Sequence, residues 1–294
     1  MHWLREQADA LVKDPSRRVL VTTHWHLDHS LGNSLWRAAL RDEHASFEHW
    51  GHAGLAALLA ADGQGQLDEH RTKRAARLER GNAMKASGKL PDGTPLTPVQ
   101  RVVLDGELLE SRTEIDAIAR VELVPPEHLV AEPTTVALGS LTLELVPVRA
   151  HTEADLVVHI PEAHVLVTGD VLDEIPYGGH GRPRRWLAAL KQLRTLHPTA
   201  IIPGHGAVLG PEHLDRMIEL WEALLGQALL AIQRGETPEQ RWEAWSATPE
   251  HQALRASLVT DATSERAFAG FIPNALARAM ADLRGDLDPP PKGR

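Results

Sequence analysis

No cysteine occurs in the 294 residues of this chain. That excludes disulfides and thiolate metal ligands and leaves the redox compartment open. There are three Phe and a single Tyr, Tyr177. No run of about 18 apolar residues is present, so no membrane span is expected. Nor is there a block of basic residues, and the formal net charge is −9. A nucleic-acid partner is therefore not expected. The start, Met1-His2-Trp3-Leu4-Arg5-Glu6, lacks the basic opening and apolar core of a signal peptide. As it stands, the chain reads as cytoplasmic. At 43% hydrophobic and 24% charged residues, the composition is that of an ordinary globular protein. Its length suits one large domain, or a domain with an appendage.

Histidine, by contrast, is plentiful, at 17 residues. Four potential metal ligands fall within His24-Trp25-His26-Leu27-Asp28-His29, directly after the β-branched run Val19-Leu20-Val21-Thr22-Thr23. Residues two apart on an extended segment point the same way, so His24 and His26 can chelate one ion. Asp28 and His29 are adjacent and can turn toward a second ion where the strand ends. Imidazole and carboxylate suit zinc, and also manganese, iron or cobalt. Three further candidates follow apolar, strand-like runs. Leu141 to Val148 leads to His151, His164 to Thr168 leads to Asp170, and Ala200 to Ile202 leads to His205. A glycine or other small residue beside each candidate permits a tight turn under a crowded site.

In this order of ligands the chain resembles the metallo-beta-lactamase-fold metallohydrolases, over about residues 19–210. HxHxDH followed by His, Asp and His is that superfamily's dinuclear ligand set. The resemblance implies that His24, His26 and His151 hold one ion, that Asp28, His29 and His205 hold the other, and that Asp170 bridges them. It implies two zinc ions per chain, with manganese, iron or cobalt as alternatives, and hydrolysis of a small ester, thioester, lactone or lactam by a metal-bound hydroxide. Asp28 and Asp170 are then the catalytic carboxylates. Tyr177 and His180, in the glycine-rich stretch 177–181, are candidates for lining the substrate pocket, and Asp173 for supporting the ligands. Without cysteine, the ligand set is closer to glyoxalase II and lactonase types than to cysteine-ligand β-lactamases. A glutathione-recognition segment is not recognisable, however, and Asp173 stands where a lactonase tyrosine would be sought. The alternatives are a mononuclear iron persulfide dioxygenase-like oxidoreductase and an inactive, N-terminally truncated remnant.

The implied fold is α/β, a four-layer αββα sandwich with a helical C-terminal extension. Only 23 residues precede His24, read as a helix (Leu4 to Lys13) and a strand, where the family places several strands. Either the opening strands are absent or the sequence lacks its true beginning, which could also have held an export signal. The hydrolase domain is assigned to residues 1–225, with an insertion at about 62–100, and the extension to 226–294. Residues 34–60 read as helical. The charged stretch 66–89 reads as a solvated helix or loop, with a lid over the site as the sharper reading. Strands are expected at Val121–Val124, Thr134–Ala137 and Leu141–Val148, and a hairpin turns at Pro161-Glu162-Ala163. Helices are expected at Trp186–Thr195 and Pro211–Arg234, with two or three more over 238–284. The tail is expected to pack on the core, with homodimerisation or shaping of the pocket as its other roles. His159 and His164 read as surface residues, and the tryptophans as packing, with Trp25 the exception between two ligands.

Overall fold

The structure, a computed structural model, describes residues 17–41 and 46–287. The helix expected at Leu4–Lys13, His44 and the proline-rich end lie outside the described residues. In chain order the elements are β1 (Arg17–Thr22), α1 (Leu27–Ser30), α2 (Asn33–Arg41), β2 (Ser46–His52) and α3 (Leu55–Leu58). A π turn (Leu59–Gly63) then runs into α4 (Gln64–Ser87), followed by α5 (Pro98–Ile118), β3 (His128–Val130), β4 (Thr134–Leu138) and β5 (Leu141–Val148). The remainder is β6 (Asp155–Ile160), β7 (Val165–Gly169), α6 (Pro183–Arg194), β8 (Ala200–Pro203), α7 (Pro211–Arg234), α8 (Pro238–Ser246), α9 (Pro249–Leu258) and α10 (Ala262–Arg284). No described helix is long and apolar enough to cross a membrane.

The chain divides into two compact units. One is helical and holds Trp25–Phe47 and Ala56–Pro125. Its main feature is the α4–α5 hairpin. Gly81 lets the helices approach, since a Cβ there would lie 2.7 Å from Leu108 Cδ2. Leu96, Leu104 and Leu108 are buried with Leu78, Met84 and Leu90 packed against them. Thr97 and Gln100 form a reciprocal capping box at the start of α5, with Pro98 in its first turn. Arg71 donates to the carbonyls of Ile118 and Val121, each at 3.2 Å, just where α5 ends. Of the two readings of the charged stretch 66–89, helix or loop, the structure shows helix as far as Ser87, and the hairpin runs on to Ile118.

The larger unit holds Val19–His24, Glu48–Leu55 and the chain from Pro126 onward. One sheet has the order β1-β2-β3, and the other β4-β5-β6-β7-β8. The second is antiparallel from β4 to β7, and β8 joins it parallel to β7. Alternation along each strand sends side chains to opposite faces. Leu143, Leu145, Leu156 and Val158 share one cluster with Val130, Val19, Val21 and Trp50 of the first sheet. Val146, Val148, Val157, Leu166 and Ile201 face the other way, onto Trp186, Leu190, Met217, Trp221, Ile272 and Leu276. The C-terminal helices therefore complete the core beneath the five-stranded sheet, and α10 packs extensively on α7.

Three expectations are corrected. Residues 46–52 form a strand, not helix, because Trp50, Gly51 and His52 pair with His128, Leu129 and Val130. Residues 121–124 form no strand, and the pairing partner of β2 lies later, at 128–130. His159 is buried, with Nδ1 2.7 Å from Glu144 Oε2 across the β5–β6 pair. His164 is exposed, in the left-handed region at the hairpin turn.

His251 on α9 is buried among Trp242, Trp245 and Phe268, with ring centroids 5.0, 4.7 and 5.7 Å away. Burial first, and then Arg255, hold its pKa below the usual imidazole value. As pH falls through about 6.5, the unfolded chain therefore takes up a proton at this ring before the folded one does. Its contribution to stability is thus present above that pH and lost as pH falls. The melting temperature is expected to drop from about pH 7 to pH 5, and to drop less in His251→Phe; circular dichroism melts at the two pH values check this.

Candidate metal centre

Four chemistry-bearing side chains of the larger unit meet where its strands end. His24 follows β1 directly after Thr23, whose carbonyl accepts a 2.7 Å bond from Leu156 N. The Thr23 hydroxyl lies 3.2 Å from His24 Nδ1, which leaves Nε2 for the site. His151 follows β5, Asp170 follows β7 and His205 follows β8. Three imidazole nitrogens converge on one carboxylate oxygen. Asp170 Oδ2 lies 3.6 Å from His24 Nε2, 3.4 Å from His151 Nε2 and 3.7 Å from His205 Nε2. His24, His151 and Asp170 are buried, whereas the His205 side chain is 57% exposed.

These distances are long for charge-assisted hydrogen bonds. They match instead the spacing of ligands around a shared ion. Metal–nitrogen and metal–oxygen bonds of about 2.0–2.2 Å in a tetrahedron place ligand atoms roughly 3.3–3.6 Å apart. His24, His151 and Asp170 each offer a ligand atom within 4.8 Å of the others. The donor set therefore fits a divalent transition metal.

Backbone features make this crowding possible. Gly169 has a φ of 51°, and a Cβ there would meet Thr23 at 2.7 Å. At Gly204 a Cβ would overlap Asp170 Oδ1, so only glycine fits. Gly204 N also donates to Gly169 O at 3.0 Å, tying the two ligand-bearing strand ends together.

Two buried aspartates fix the backbone around candidate ligands. Asp155 accepts from Ala150 N at 2.9 Å, from Thr152 N at 2.9 and 3.1 Å, and from the Thr152 hydroxyl at 2.6 Å. It thereby fixes the turn that carries His151. Burial pushes its carboxyl up to about 7, against the pull of those donors. Asp173 accepts from His205 N at 2.9 Å, while its own carbonyl accepts from His213 Nε2 at 3.0 Å. Burial keeps the pKa of His213 low. Asp173, expected to support the ligands, thus contacts the backbone of the candidate ligand His205. The contacts of Asp155 were missed, although an acidic residue four positions past a candidate ligand was a signal for them.

Tyr177 stands beside His151, with ring centroids 6.3 Å apart, and also meets His180 at 5.8 Å and Phe271 at 5.2 Å. Its loop is tightly seated: a Cβ on Gly178 would be 2.8 Å from Ala275, and one on Gly181 would be 2.7 Å from the Trp186 ring. The glycine-rich stretch is therefore a fitted segment next to a ligand.

The other three sequence candidates belong to the helical unit. His26 is buried against Trp25, with ring centroids 4.5 Å apart. Asp28 and His29 lie on α1, with His29 Nε2 3.4 Å from Asp28 Oδ2.

A family model, the metallo-beta-lactamase superfamily, matches residues 8–205. A protein from Jannaschia sp. (strain CCS1) named hydroxyacylglutathione hydrolase is 31% identical over 93 residues, 30% of this chain. The match spans only 36% of that relative's length. Among solved structures, the stereoselective inverting sec-alkylsulfatase of Pseudomonas sp. aligns at a TM-score of 0.58 and 15% identity, over 98% of this chain and 45% of that one. A beta-lactamase domain protein from Burkholderia ambifaria aligns at 0.52 and 18% identity, over 97% and 74%. A metallo-beta-lactamase family protein from Thermus thermophilus aligns at 0.50 and 18% identity, over 92% and 75%. At these identities the structures are alike in fold.

Removing the Asp155 carboxylate should loosen the His151 turn without touching a ligand. Asp155→Ala is expected to weaken metal retention by about 10- to 100-fold, read by competition with a chromophoric chelator.

Proposed function

We propose that this chain, which belongs to the metallo-beta-lactamase superfamily, is a dinuclear metal-dependent hydrolase of a small ester, thioester, lactone or lactam. The observation that carries this reading is the convergence of three Nε2 atoms on Asp170 Oδ2. The partial match to a protein named hydroxyacylglutathione hydrolase supports hydrolysis as the reaction type.

His24 and His151 supply neutral nitrogen donors to one ion, and His26 is the third. His26 is two residues beyond His24, so the chain itself keeps their Cα atoms within about 7 Å. His205 serves the other ion together with Asp28 and His29. Asp170 would be a ligand to both and would offset part of their charge. The ions, zinc in the first instance with manganese, iron or cobalt as alternatives, supply Lewis acidity and lower the pKa of water toward about 7.

The remaining work falls to side chains. Asp28, 57% exposed, accepts a hydrogen bond from the attacking water and orients it. Tyr177 and His180 contact the oxygen or leaving group of the substrate, the phenol as a donor. Asp155 and Asp173 keep the histidines from relaxing once a substrate enters. The catalytic part is taken as residues 1–225, with 226–294 as the helical extension behind it.

Two measurements test this reading. Reconstituted protein should hold about two transition metals per chain and hydrolyse a member of an ester, thioester, lactone and lactam panel; less than one metal with no hydrolysis would sink the proposal. Iron with oxygen uptake and no hydrolysis would transfer it to the persulfide oxygenase reading. His151→Ala should release one ion and lower kcat by at least about 100-fold with the fold intact. Unchanged turnover would refute the ligand assignment.

A further inference from the structure

Helix α5 is apolar on two opposite sides. Leu104, Leu108 and Ile118 are buried. On the other side Val99, Val102, Val103 and Leu109 are 72, 73, 54 and 68% exposed. Positions 99, 102, 106, 109 and 113 follow one another by alternating steps of three and four, the spacing of a helix–helix seam. Valine is a modest helix former, and a solvent-facing row of it invites burial. Gly106 sits in the middle of the row, and a Cβ there would meet nothing within 4 Å. Packing within the chain therefore does not require this glycine, a poorer helix former than alanine. Close approach by another helix would give it a use.

We propose that this face is a self-association surface, on which α5 of a second copy packs antiparallel. The charge pattern favours a second copy over a different partner, because it complements itself. Asp105 and Arg112 lie one heptad apart on the same flank of the row. In the register that lays Leu109 of each copy over Gly106 of the other, Val102 meets Thr113, and Asp105 comes beside Arg112 of the opposite copy. Two-fold symmetry repeats each contact.

Asp105 is paired with Lys85, and Arg112 donates to Asn82 Oδ1 at 3.2 Å. A carboxylate and a guanidinium keep further acceptor and donor capacity beyond these. On the other flank Glu107 and Glu114 are 3.8 and 3.0 Å from Arg77 and Arg74, and in this register Glu110 comes beside Val103 of the opposite copy, where it meets no like charge. The seam from Val99 to Thr113 is about 22 Å long at 1.5 Å per residue. A contact of one helix per copy is at the small end of interface sizes, so the association is expected to be reversible and concentration-dependent.

Sedimentation equilibrium of the full chain, from about 1 to 100 μM, tests the proposal. The apparent mass should climb from 32.3 kDa toward twice that value. Val102→Glu combined with Leu109→Glu, both at exposed positions, should keep the chain monomeric throughout with an unchanged far-ultraviolet spectrum. Asp105→Arg and Arg112→Asp should each weaken association about tenfold, and the double exchange should restore it. A monomer at the highest concentration overturns the proposal, as does a dimer indifferent to the two glutamates. Charge exchanges that fail to rescue one another overturn the antiparallel register.

Discussion

Asp170 places one carboxylate oxygen within 3.4 to 3.7 Å of three imidazole nitrogens that arrive from three other strand ends. Much of the larger unit can be understood as the scaffolding this demands. A buried carboxylate is costly unless cations or donors surround it, and three histidines cannot be brought to it unless their backbones approach almost to contact. Gly169 and Gly204 permit that approach, since a Cβ at either would collide with Thr23 or with Asp170 itself. The sheet supplies the rest. β7 and β8 run parallel and deliver Asp170 and His205 at the same edge, while the antiparallel β5–β6 pair turns back just beyond His151.

Around this point the polar residues are arranged to restrict motion. Asp155 closes the His151 turn through bonds to two backbone amides and a hydroxyl. Asp173 grips the backbone of His205 and is anchored in turn through His213 on α7. Arg182 bonds Glu153, next to His151, and its amide donates to Ala150 O at 2.8 Å. The C-terminal helices take part through packing: the tilted rings of Trp186 and Trp221 lie with centroids 4.6 Å apart beneath the sheet, and Phe271 of α10 packs on Tyr177 beside His151. The extension thus seats the Tyr177 loop beside His151 as well as forming part of the core.

What could be read in advance depended on how local each signal was. The 3.6-residue pattern of α7 and the turn residues between β6 and β7 carry their meaning within a few positions, and both elements were expected where they stand. Strand β2 was misread because its Glu, His and Gly residues lack a strand's composition; it exists through pairing with β3, more than seventy residues later. Helix α5 was overlooked because its apolar residues lie on two faces, which blurs a single-sided periodicity. His159 was taken for a surface residue because nothing nearby in sequence reveals Glu144 across the sheet.

By itself the sequence determined the kinds of candidate ligand and their order, because a HxHxDH motif and histidine or aspartate after apolar runs are properties of short segments. It also determined the absence of thiolate chemistry, since the chain contains no cysteine. Only the tertiary structure decided that Asp170 is the residue on which His24, His151 and His205 converge, that Asp155 and Asp173 hold two of those histidines, and that Tyr177 neighbours His151. Those relations join residues brought together by sheet pairing and by glycine-permitted contact. No local pattern encodes the distance between strand ends that meet only when the sheet forms.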